Sequence, residues 1–87
     1  MTEKIERMKE LYKAYRETDK RIAELEERFD KDFTNEQLEM ELDDYYTYIH
    51  YPAFVKLENA IKELTGIDQR GVIIKMIESE KFEKLMA

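Results

Sequence analysis

From Thr2 to about Phe33, the residues Ile5, Met8, Leu11, Tyr12, Tyr15, Ile22, Leu25 and Phe29 recur at threes and fours, the spacing that lines one face of an α-helix. A helix of that length extends about 45 Å at about 1.5 Å per residue, so it must be the spine of whatever the chain builds. Asp19 and Glu26 interrupt a strict heptad seam. The pattern therefore predicts packing against shorter helices of the same chain, not a long parallel coiled coil.

Three shorter helices follow from the same reading. Thr34-Asn35-Glu36-Gln37 matches a capping box with Thr34 as the cap, and it opens a helix with Leu38, Leu42, Tyr45 and Ile49 on its inner face. That helix runs to Tyr51-Pro52, where the missing amide of proline either ends or kinks it. A third helix carries Ala53, Phe54, Leu57, Ala60, Ile61 and Leu64 and stops at Gly66, with Ile67 as the apolar contact after the cap. Asp68 then caps a fourth containing Val72, Ile73, Ile74, Met76 and Ile77, followed by Phe82, Leu85 and Met86. The Val72 to Ile77 residues cover more than half a helix circumference, so they are either central in the bundle or shared with a second copy as a homo-oligomer. The expected fold is all-α: a small bundle of about four helices in one domain spanning residues 1–87, with a Pro break near residue 52.

Composition agrees. The 87 residues include only two Gly and one Pro, and 43% are apolar against 41% charged, enough for one core under a heavily ionised surface. The absence of cysteine removes disulfides, thiolate metal sites and cysteine nucleophiles, and it suits a cytoplasmic location. Neither an apolar leader after Met1 nor a membrane-length apolar stretch is visible.

Charge is the most uneven property. Residues 1–21 carry net +2, residues 22–50 carry ten acids against two bases for net −8, and residues 51–87 balance, giving −6 in all. Such a chain is repelled by phosphate backbones, which makes nucleic acid an unfavoured partner. It is suited instead to a protein partner with a basic surface, including one that itself binds nucleic acid.

The densest chemistry lies between Asp43 and Pro52, where Asp43, Asp44, Tyr46, Tyr48, His50 and Tyr51 form a candidate partner-binding group. Tyrosine offers a large contact area and a polar tip at low entropic cost. Glu39, Asp43, Tyr46 and His50 share one side of the helix, but a lone histidine without further ligands at the right spacing gives no metal site and no catalytic pair. Nothing calls for a cofactor. Lys9, Lys13, Arg16 and Lys20 form a basic stripe on the first helix, the alternative anion-binding or nucleic-acid-binding surface, flanked by Glu6, Glu10 and Glu17 that can neutralise it.

On that helix, Arg16-x-x-Asp19 with Ile22-x-x-Leu25-x-x-Arg28 resembles the opening helix of the small all-helical chorismate mutases. The later basic positions that such an enzyme needs for a dicarboxylate substrate have no counterpart here, and the resemblance is not carried into a function. The expectation is a non-enzymatic interaction protein, an inhibitor or accessory factor. Its small size and Lys/Glu/Ile-rich composition suit a phage or mobile-element product.

Overall fold

The computed structural model describes residues 2–87, without the side chain of Thr2. Met1, where the leader reading begins, lies outside the described residues. The elements are α1 (Thr2–Lys31), α2 (Glu36–Tyr45), a π-helical turn (Tyr46–His50), α3 (Tyr51–Thr65), α4 (Arg70–Glu78) and α5 (Glu80–Met86). Because α2, the π turn and α3 form one unbroken helical run as long as α1, there are four helical bodies: these two long ones side by side, with the short α4 and α5 packed at one end. The bundle expected from the spacing is what forms, and among the described residues there is no strand.

The core lies at one end. Met8 and Tyr12 of α1 meet Leu57 and Ile61 of α3, Ile73 and Ile77 of α4, and Phe82 and Met86 of α5. Tyr12 and Phe82 meet edge to face with centroids 5.3 Å apart, a favoured aromatic geometry. Towards its C-terminus α1 leaves this cluster and pairs with α2 alone, burying Ile22 and Leu25, while α2 has no fully buried residue of its own. The molecule is consequently elongated, 48 × 22 × 21 Å. It is a packed four-helix end continued by a two-helix arm.

Two expected caps differ from what is found. Asn35, not Thr34, caps α2: its side-chain oxygen accepts from the amides of Gln37 at 3.0 Å and Leu38 at 3.2 Å. Asp68 does not cap α4, which starts after Gln69 without a side-chain cap; its carboxylate is 91% exposed and faces Lys62 at 3.7 Å. Gly66 ends α3 as expected, in the left-handed region at φ 77°, with its amide donating to the Lys62 carbonyl. Ser79 divides the last expected helix in two, its hydroxyl accepting from the Phe82 amide.

Near Pro52 the helix is not interrupted but widened, in the π turn just before the proline. Tyr51 donates its amide to the Tyr46 carbonyl, five residues back, and the backbone stays helical through His50 and Tyr51. Pro52 has no amide to give, and its place at the start of α3 removes the need for one. The wide turn takes up one extra residue. Hence His50, not Ile49, turns towards α1, and Ile49 is exposed. The inner register resumes at Phe54, Leu57 and Ile61.

Candidate functional site

The π turn divides the tyrosine-rich group among three surroundings. Tyr46 and His50, one turn apart, lie against α1. The Tyr46 hydroxyl donates to Glu26 Oε1 at 2.6 Å, and its ring meets the His50 imidazole edge to face at 5.5 Å. This bond to a carboxylate, reinforced by partial burial, pushes the Tyr46 phenol up to about 12.

His50 is largely covered, with 18% of its side chain exposed. Its Nδ1 lies 2.8 Å from the Thr18 hydroxyl and 3.7 Å from Asp19 Oδ1, and its ring packs on Tyr15 at 5.1 Å. Thr18 gives its single proton to the Tyr15 carbonyl. The hydroxyl must therefore accept from His50, which places the imidazole proton on Nδ1. The sequence gives no sign of this pairing, because Thr18 sits in the apolar stripe of α1 as an unremarkable polar residue. Burial and the nearby Asp19 charge raise the Tyr15 phenol.

Tyr51 points the other way, towards the start of α4. Its ring packs near Phe54, and the Arg70 guanidinium lies over both rings, 5.8 and 5.5 Å from their centroids. Arg70 also clasps Glu58 through two charge-assisted bonds of 2.7 and 2.8 Å. The Arg70 bonds hold the Glu58 carboxyl below its usual range although the side chain is only 2% exposed, and the same pairing raises Arg70. Tyr48, 71% exposed, lies on the opposite flank from Tyr46, beside Ile49 and Pro52.

Helical spacing then locates the acids. The Tyr46–Glu26 and His50–Asp19 contacts identify the flank that α1 and α2 share on this side. At about 100° per residue the same flank receives Asp30 from α1 and Glu39 from α2, while Glu36 and Asp43 turn outward to solvent. Four carboxylates from two helices, Asp19, Glu26, Asp30 and Glu39, thus lie along one side of the arm, with Asp19 also paired to Arg16. Asp44 falls a further 100° round, facing away from α1. Arg21 offsets the other edge of the arm, pairing with Glu24 at 3.2 Å and Glu41 at 3.6 Å. Among the described residues no three acidic or histidine side chains come together to hold a metal ion.

The basic stripe divides as well. Lys13, Arg16 and Lys20 border a depression of about 410 Å³ floored by Tyr12 and Met86, whereas Lys9 does not line it. Arg16 is paired with Asp19 at 3.2 Å and Lys20 with Glu17 at 3.6 Å. Two of its cations are therefore partly neutralised, which favours a solvated ionic face over a phosphate track.

No protein-family model, curated protein or solved structure matches the chain. The class that the fold defines is an all-α bundle bearing an acidic two-helix arm. No helix among the described residues is long and apolar enough to cross a membrane.

Proposed function

We propose that this chain is a non-enzymatic interaction module that docks the acidic flank of its arm on a basic surface of another macromolecule, acting as an inhibitor or accessory factor. The observation that carries the reading is the flank on which Tyr46 meets Glu26 and His50 meets Asp19, within the stretch of residues 22–50 that carries net −8. Like charges held together raise the folded chain's electrostatic energy, and a partner's cations relieve that energy on binding. Tyr46 supplies an aromatic contact within the acidic field. The acids also suit the arm itself: Glu36 and Glu39 occupy the first turn of α2, where negative charge meets the positive end of the helix dipole.

Affinity capture with the purified chain, followed by identification of what is retained, tests this reading. Two folded variants separate its parts: Glu36→Gln/Glu39→Gln/Asp43→Asn for charge and Tyr46→Ala for the ring. Loss of a basic partner by the charge variant supports the docking surface. Equal recovery by both variants and the unaltered chain removes it.

A further inference from the structure

The flank opposite the acidic one carries a different surface. α1 and α3 are covered on one side by α4 and α5, but on the other they leave an open groove. One half is apolar, lined by Leu11, Ala14, Tyr48, Ile49, Pro52 and Ala53 around about 290 Å³. Leu11 and Lys56 also border the next stretch, about 250 Å³, where Lys4, Arg7, Asn59 and Glu63 join them. The two stretches are thus one continuous trough, apolar at the π turn and basic towards the start of α1.

Two observations bear on its occupant. Among the described residues no carboxylate lies within ion-pair distance of Arg7 or Lys56, whereas Lys4 is held by Glu63 at 3.5 Å. In a chain of net charge −6, Lys4, Arg7 and Lys56 against Glu63 leave this end of the trough net positive. The π turn also sets Tyr48 and Ile49 outward, leaving side chains of core type on the rim. From Lys4 to Ala14, α1 offers a wall of about 15 Å at about 1.5 Å per residue, and the α3 wall is longer. That is the berth of a third helix laid between two.

We propose that the α1–α3 groove receives an amphipathic helix of a partner protein, with apolar side chains against Tyr48, Ile49 and Ala53 and carboxylates reaching Arg7 and Lys56. The occupant is acidic because the rim is basic. The arm's carboxylates are on the opposite flank, and across the protein's width they are largely screened at physiological salt, where the Debye length is about 8 Å. This surface is independent of the acidic flank, and the two make the chain a two-sided adaptor.

The test uses a fluorescein-labelled helical peptide of about 15 residues, with leucines at i, i+4 and i+7 and glutamates flanking the last leucine. A twin carries lysines in place of the glutamates. Anisotropy titrations of the full chain are expected to show saturable binding of the glutamate peptide at least about tenfold tighter than its twin. Arg7→Glu/Lys56→Glu should reverse that order, and Tyr48→Ser/Ile49→Ser should weaken binding at least about tenfold with unchanged circular dichroism. Glu36→Gln/Glu39→Gln/Asp43→Asn should leave it unaltered, which separates this surface from the acidic flank. Equal affinity for the two peptides overturns the proposal, as does no binding of either. A dimer in sedimentation that Ile49→Ser dissociates also overturns it, because a second copy would then be the occupant.

Discussion

Arg70 holds Glu58 at two points, Nε to Oε2 at 2.7 Å and Nη2 to Oε1 at 2.8 Å, and so ties the first residue of α4 to the middle of α3. The Glu58 side chain is buried while that of Arg70 is half in water. The carboxylate therefore depends on the guanidinium more than the reverse.

Arg70→Met should lower the melting temperature by several degrees, and Glu58→Met/Arg70→Met should recover part of the loss, because the double variant leaves no unpaired carboxylate. Thermal melts of the two variants check the order. The lowered Glu58 value also sets a pH dependence. Its contribution is present above the unfolded value of about 4.5 and is lost as pH falls through the lower folded value. The gap in melting temperature between the unaltered chain and Glu58→Gln should accordingly close in that acidic range.

Tyr46 should ionise well above the ordinary tyrosine value of about 10. With its folded value raised to about 12, its bond to Glu26 supports the fold fully below pH 10 and loses that effect as pH rises towards 12. Ultraviolet titration of tyrosinate should show a component near pH 12 that is absent in Tyr46→Phe and shifted downward in Glu26→Gln.

The His50 proton should reside on Nδ1 in the neutral ring, because Thr18 has already given its own proton to the Tyr15 carbonyl. Nitrogen-15 NMR of the imidazole should show that tautomer as the dominant one. Thr18→Val, which keeps the shape and removes the acceptor, should bring in the Nε2–H form.

The two faces of α4 should respond differently to polar substitution. Ile73 and Ile77 are buried in the chain's own core, whereas Val72 and Ile74 are exposed. Ile73→Ala should cost about 2–5 kcal/mol in denaturant melts. Val72→Ser/Ile74→Ser should stay within about 1 kcal/mol of the unaltered chain.

The spacing of apolar residues made the bundle legible because burial of one helix face is a summed effect. Met8, Tyr12, Leu57, Ile61, Ile73 and Phe82 all reach the core as their spacing implies. Single contacts were less legible. Asn35 and Thr34 are both good caps, and only the backbone geometry of the turn decides between them. The π turn hid in a sequence that also fits an ordinary helix, and its one-residue shift exchanges Ile49 for His50 at the α1 interface. Tyr46, Tyr48 and Tyr51 are neighbours in sequence but take three directions, and the partners that sort them, Glu26, the α1 wall of the groove and Arg70, lie about 20 or more residues away along the chain. The concentration of acids between residues 22 and 50 was visible from the start. That Glu26 among them meets Tyr46 required the packing of α2 on α1.

The most direct measurement of the central claim is the salt dependence of affinity for the captured partner, by calorimetry or surface plasmon resonance, for the unaltered chain and Glu36→Gln/Glu39→Gln/Asp43→Asn. Docking through the acidic flank predicts affinity that falls steeply with added salt, and a variant about tenfold or more weaker at low salt with a shallower salt dependence. Affinity that is indifferent to salt and equal in the two proteins would contradict it.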